Sequence, residues 1–214
     1  MLILHGYWLS LATYRVRAAL KFKGIAFEER MHDLAGGHQH LPAFRHLNPA
    51  GAVPALEGGT PEPLTQSLAI LEWLEESYPT TPLLPPDAAG RARVRAMFLL
   101  AAADTHPLAV PRVQKRLAAQ FGADAAAGGR EWAAHWYREG LTAYEGLLRE
   151  GATRCHNQTL SLADLALASH LVGAERFGVD LAAFPRVAAV GASLFQLPEI
   201  ESSHPRHQEG AIAV

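Results

Sequence analysis

Apolar and polar positions alternate on a short scale over the first 78 residues. Met1 to Leu4 is a brief apolar run suited to a buried strand. From Thr13 to Phe22 the pattern turns helical. Val16, Ala19 and Leu20 share one face, Arg15, Arg17 and Lys21 surround them, and Gly24 is a natural stop. A strand is expected over Ala26 to Met31, and a weak helix, interrupted by Pro42, over His38 to Leu47. Val53–Leu56 and Glu62–Leu64 read as short strands. Ser67 to Tyr78 is a firm helix, because Leu68, Leu71, Leu74 and Tyr78 recur at helical spacing. The expected order is β-α-β-α-β-β-α.

The pattern then breaks. Tyr78-Pro79-Thr80-Thr81-Pro82-Leu83-Leu84-Pro85-Pro86-Asp87 carries four prolines and cannot be helix interior, so it is expected to be a linker. Beyond it the chain is Ala-rich and helical, over about 89–119, 129–149, 161–174 and 185–196, with Gly122, Gly128, Gly129, Gly151 and Gly178 as punctuation. Two domains follow: an α/β domain over residues 1–79 and an all-helical one over 88–214.

Composition narrows the function classes. A formal charge of −2 leaves no electrostatic footprint for nucleic acid or an anionic membrane. No apolar run approaches the roughly 20 residues that span a bilayer, and no signal-peptide pattern opens the chain. The single cysteine, Cys155, rules out a disulfide within the chain and fits a reducing, cytoplasmic setting.

Five stretches carry candidate chemistry. In Tyr7-Trp8-Leu9-Ser10-Leu11-Ala12-Thr13-Tyr14, a hydroxyl stands at a helix N-terminus, where unpaired N–H groups and the dipole favour an anion such as a thiolate. Ser10 or Thr13 as a plain N-cap is the other reading. Val53-Pro54 places proline at the start of a short strand. A cis bond there would leave the Val53 backbone free to pair with an extended peptide ligand, and an ordinary trans proline at a strand start is the alternative. Leu64-Thr65-Gln66-Ser67 opens a strong helix, so Gln66 and Ser67 either grip an amino-acid head group or merely cap. Ser161 and Asp164 have capping-box spacing with Leu160 as the staple, a folding element rather than a site. Asp104-Thr105-His106-Pro107 with Arg112, and Arg176 in Ala174-Glu175-Arg176-Phe177, lie in helical segments, where isolated arginines ordinarily face solvent. His38-Gln39-His40 and His204-Pro205-Arg206-His207 lack a third ligand at sensible spacing, so no metal is expected. Cys155 has no suitable base and is expected to be structural.

Taken together and in order, these stretches resemble the glutathione-transferase superfamily over essentially the whole chain. Tyr14-Arg15-Val16-Arg17, Leu47-Asn48-Pro49 through Val53-Pro54, Gln66-Ser67-Leu68-Ala69 and Ala174-Glu175-Arg176-Phe177-Gly178-Val179-Asp180-Leu181 look specifically like the zeta class, the maleylacetoacetate and maleylpyruvate isomerases. The resemblance implies a thioredoxin-like first domain and a homodimer. It implies glutathione paired with Val53 beside Pro54, its γ-glutamyl end at Gln66 and Ser67, and its glycyl end near Gln39. Its amine would be met by Asp104 of the neighbouring subunit, and its thiolate held by Ser10. Arg176, Arg112 and His106 would face a dicarboxylic substrate of aromatic catabolism, which is isomerised by reversible thiolate addition.

The first loop departs from the family. Ser-Ser-Cys, often preceded by arginine, is replaced by Leu9-Ser10-Leu11-Ala12. Ala12 removes a thiol and Leu9 a positive charge, which points to an intact glutathione site beside a greasier substrate site. Conjugation of a more apolar electrophile, or a non-catalytic glutathione-binding or scaffold role, are the rival expectations.

Overall fold

The structure, a computed structural model, describes residues 1–122 and 125–212. They form two compact units, one from Met1 to Leu83 together with the segment from Leu197 onward, the other Leu84–Gln196.

In the first unit, strands β1 (Leu2–Gly6), β2 (Phe27–Met31), β3 (Ala55–Glu57) and β4 (Leu64–Thr65) lie in the order β2-β1-β3-β4. β1 runs parallel to β2 and antiparallel to β3, and β3 antiparallel to β4. The parallel pair requires a crossover, which helix α1 (Leu11–Phe22) supplies. α1 and α3 (Ser67–Ser77) pack against each other, and Val16, Leu20, Ile70, Leu71 and Leu74 on these two helices are fully buried. Pro42 does not interrupt a helix. It starts one: the chain makes a 3₁₀ turn at His38–His40, and Pro42 then opens α2 (Pro42–Leu47), where its missing N–H is no loss.

Alternation along β1 puts Gly6 against α1, where a Cβ would stand 2.5 Å from Thr13 Cγ2, and His5 on the other face. There His5 Nε2 lies 2.6 Å from Glu57 Oε2 and Nδ1 lies 2.9 Å from His32 Nε2, with the His32 ring edge-on to Phe44 of α2. A carboxylate only accepts, so it fixes the proton of His5 on Nε2.

Two ties extend this unit beyond residue 79. Glu75, buried, accepts the Leu83 N–H at 3.0 Å on both carboxylate oxygens, and Lys23 Nζ donates to Thr81 O at 2.8 Å. The expected linker is therefore stapled to the first unit as far as Leu83. The segment from Leu197, expected in the helical half, also belongs here. Short helix α10 (Pro198–Glu201) packs on α1, Tyr14 Oη donates to Ile200 O at 3.2 Å, and Arg17 Nη1 donates to Ser203 O at 2.9 Å. Arg17, fully buried, also makes a two-pronged bond to Glu29 at 2.8 and 2.6 Å.

The second unit is helical. The expected helix over 89–119 is divided into α4 (Ala88–Leu99), a wide π-helical turn (Leu100–Thr105), α5 (His106–Ala109) and α6 (Pro111–Phe121), because Pro107 and Pro111 cannot sit in a continuous ladder. α7 (Ala125–Leu147), α8 (Leu162–Arg176) and α9 (Pro185–Leu194) follow. Every residue of α8 from Leu162 to Ala174 is buried, which makes it the axis of the unit. Its start is the expected capping element. Asp164 accepts from Ser161 N at 2.8 Å, Ser161 Oγ at 2.7 Å and Cys155 N at 2.7 Å. No helix among the described residues is long and apolar enough to cross a membrane.

Candidate functional site

The register of the sheet assembles the site in the first unit. Ala55 lies opposite His5 on one side and Thr65 on the other. Because β3 runs against both neighbours, the residues beyond that row all emerge at one end of the sheet. They are the loop after β1 that leads to Ser10, the Val53–Pro54 segment before β3, and Gln66–Ser67 after β4. Three stretches far apart in sequence thus reach one edge.

Ser10 is the N-cap of α1. Its Oγ accepts the Thr13 N–H at 3.1 Å, and its extended backbone (φ −72°, ψ 114°) is that of a cap. The capping and thiolate-binding readings do not compete. A hydroxyl has two lone pairs and one proton; capping consumes a lone pair and leaves the proton to donate to an anion. The cap also orients the oxygen at the positive end of a helix. Of the loop substitutions, Leu11 is core, 8% exposed, so its side chain serves packing. Leu9 and Ala12 are only half-buried.

The Val53–Pro54 bond is cis. Val53 precedes the first paired residue of β3 by two positions and is half-buried. Buried Asn48 shapes the approach: its Nδ2 donates to Ala52 O at 2.6 Å and its Oδ1 accepts the Ala50 N–H at 3.0 Å. Asn48 carries no role predicted from the sequence. Its signal was an amide side chain at the head of a Pro-Ala-Gly loop.

Gln66 is the unusual residue. It has φ 67° and ψ 120°, a conformation that an L side chain adopts at a cost of about 1–3 kcal/mol. It stands at the N-cap of α3 without a side-chain cap bond, so neither Thr65 nor Ser67 caps the helix. The first N–H groups of α3, beside the nearly buried Ser67 hydroxyl, remain available to an anion.

Gln39 sits in the 3₁₀ turn. Its Nε2 donates to Leu34 O at 3.2 Å, which fixes the amide orientation, and its buried Oε1 has no hydrogen-bond partner.

The remaining expected residues lie in the second unit. Asp104 is exposed on the π turn, His106 begins α5, Arg112 is exposed near the start of α6, and Arg176 is exposed at the end of α8 with its guanidinium 5.6 Å from the Phe177 ring centre. Cys155 is buried, and burial beside Asp164 pushes its thiol well above the ordinary range, which suits a structural thiol. No group of three or more His, Cys, Asp or Glu among the described residues is arranged to hold a metal ion.

Residues 9–77 match the family described as glutathione S-transferase, N-terminal domain. A maleylpyruvate isomerase of Ralstonia sp is 41% identical over 96% of this chain and 97% of its own. The crystal structure of maleylacetoacetate isomerase from Methylobacterium extorquens AM1, with bound malonate and glutathione, superposes with a TM-score of 0.94 at 43% identity, covering 99% of this chain and all of the other. The holo structure of a maleylpyruvate isomerase described as a bacterial zeta-class glutathione transferase gives 0.93 at 38% identity over 98% of this chain and 100% of that one. The chain belongs to the zeta class of the glutathione transferases.

Proposed function

We propose that the protein is a glutathione-dependent cis–trans isomerase of a dicarboxylic aromatic ring-cleavage product of the maleylacetoacetate or maleylpyruvate type. The observation that carries the reading is the shared end of the β1–β3–β4 row. It places side by side a hydroxyl with a proton to give, a backbone edge at Val53 and an uncapped helix start.

These parts fit glutathione on chemical grounds. A γ-glutamyl carboxylate suits the unfilled N–H groups of α3, with Ser67 and Gln66 alongside. An extended cysteinyl residue suits the Val53 backbone next to Pro54, and Gln39 offers its amide to the glycyl end. Asp104 pairs with the amine of glutathione held by the neighbouring subunit, so the working form is a homodimer, and the setting is the cytoplasm. Glutathione supplies a thiolate that adds reversibly to the cis double bond, makes it a single bond free to rotate, and leaves again without being consumed.

The chain's own residues do three things. Ser10 donates its proton to the sulfur and, with the start of α1, lowers the thiol's pKa. A shift of two units requires about 2.7 kcal/mol, within reach of one charge-assisted hydrogen bond of about 1.5–3 kcal/mol plus a helix terminus of about 0.3–1 kcal/mol. Arg176 and Arg112 hold the substrate carboxylates, as guanidinium forks do, and His106 lines the same substrate. Donors near the substrate carbonyl stabilise the charge that gathers on its oxygen. The malonate in the Methylobacterium relative is itself a dicarboxylate.

A second reading rests on Leu9 and Ala12, which stand on the accessible part of the loop while Leu11 is core. They favour a more apolar electrophile, conjugated rather than isomerised. The deciding experiment follows the cis-enedione absorbance of maleylpyruvate and maleylacetoacetate with and without glutathione. Glutathione-dependent loss of the signal with no glutathione consumed is expected. Glutathione binding without turnover of either compound would overturn the isomerase in favour of the second reading.

A further inference from the structure

The π turn between α4 and α5 is held from inside the second unit. Its wide geometry has a local cause: Pro107 lacks an N–H and its ring crowds the carbonyl four residues earlier, so the helix opens before it. His106 N–H accordingly donates to Ala101 O, five residues back. Thr105 Oγ1 stands 3.0 Å from Leu100 O, the same five-residue reach, and 3.2 Å from His170 Nδ1, and its single proton is shared between these two acceptors. His170 Nε2 is 2.9 Å from Tyr137 O, which only accepts, so Nε2 carries a proton. His170 is 1% exposed and Thr105 5% exposed, so water does not compete for this contact.

The socket is built for the imidazole. A Cβ on Gly140 of α7 would stand 2.6 Å from His170 Nε2 and 2.9 Å from Thr105 Cγ2, so only glycine leaves room for both. Tyr137 and Tyr144 flank the ring, with centroids 4.7 and 6.0 Å away. One side chain of α8 thus joins α7 to the π turn. Core histidines are common, but here the residue it grips lies between Asp104 and His106. A helical residue turns about 100° around the axis from the one before it, so a one-residue change of register in this turn would swing both side chains far from their present directions.

We propose that His170 and Thr105 are positioning residues: their buried contact holds the π turn in register and so aims Asp104 and His106 at glutathione and substrate. The proposal rests on the reading of Asp104 as a glutathione-binding acid. The test is calorimetric titration of the full-length protein with glutathione, with Tm measured alongside. Thr105→Val keeps the shape of the side chain and removes the hydroxyl. It should weaken glutathione binding about tenfold, while Thr105→Ser restores it. His170→Asn, which puts an amide oxygen where Nδ1 stands, should retain most of the affinity. His170→Gln keeps a donor for Tyr137 O but loses the Thr105 contact, and should match Thr105→Val. The decisive step combines these with Asp104→Asn. If Thr105 acts through Asp104, Thr105→Val costs no further affinity in the Asp104→Asn background. Additive losses, or wild-type affinity in Thr105→Val while Asp104→Asn binds weakly, would overturn the peg and leave the reading of Asp104 standing. Wild-type affinity in Asp104→Asn would remove that reading, and the proposal with it. Should Thr105→Val not fold, the same cycle is run with His170→Gln and judged by the same outcomes.

Discussion

Single side chains carry two duties in this protein, and the donor and acceptor inventory of each decides whether the duties conflict. Ser10 caps with a lone pair and keeps a proton, so capping leaves it able to take the thiolate-binding role proposed for it. His204 offers the opposite case. Its Nδ1 accepts the Arg206 N–H at 3.2 Å, which requires the bare nitrogen, and burial, followed by the nearby Arg206 charge, pushes its pKa down to about 4. The unfolded chain binds that proton from about pH 6.5 downward. Folding is therefore supported fully above pH 6.5, and the support drains away as pH falls from 6.5 towards 4. His32, lowered by burial and by His5, acts in the same direction. Urea unfolding midpoints should fall across this window in the wild type and fall less in His204→Asn, whose amide oxygen can still accept from Arg206. Equal slopes in the two proteins would discard the role of His204.

Helix ends show how an element divides stability from function. α8 starts on Asp164, which satisfies three donors at once although burial raises its pKa. α3 starts on Gln66, with positive φ and no side-chain cap. Both ends were open to the same capping chemistry, and of the two only the start of α3 leaves it unused. Glycine adopts positive φ without the steric cost but loses more entropy on folding, by about 0.5–1 kcal/mol. Against about 1–3 kcal/mol of strain, Gln66→Gly should stabilise the protein by about 1 kcal/mol in chemical denaturation while weakening glutathione binding. A loss of stability would mean that the Gln66 conformation is not strained in this setting.

At the scale of the whole molecule, the notable feature is that the chain returns. Its last segment packs on α1, where Ile200 O takes the buried Tyr14 hydroxyl and Ser203 O takes buried Arg17. A chain ending at Gln196 would lose a neutral hydrogen bond of about 0.5–1.5 kcal/mol and a charged one of about 1.5–3 kcal/mol. Thermal unfolding of that truncated protein should begin at least about 5 °C below the full chain, since 1 kcal/mol moves Tm by about 2–4 °C at this size. An unchanged Tm would show that the returning segment is not needed to complete the first unit.

Hydrophobic periodicity, proline and glycine already wrote much of this molecule into its sequence. α1, α3 and α8 are legible because each repeats apolar residues at helical spacing next to a capping or stopping residue, and the proline cluster marks where the α/β half gives way to helices. The candidate residues were legible one by one, as a hydroxyl before a helix or a proline before a strand. What they do together was not, because strand register alone brings Ser10, Val53 and Gln66 to one edge, and register depends on pairs distant in sequence. The positive φ of Gln66, the return of the segment from Leu197 to α1, and the imidazole of His170 under the π turn belong to the same class. Each is decided by which groups meet across the core, where a buried donor must find an acceptor, and local pattern carries no record of which distant acceptor that is.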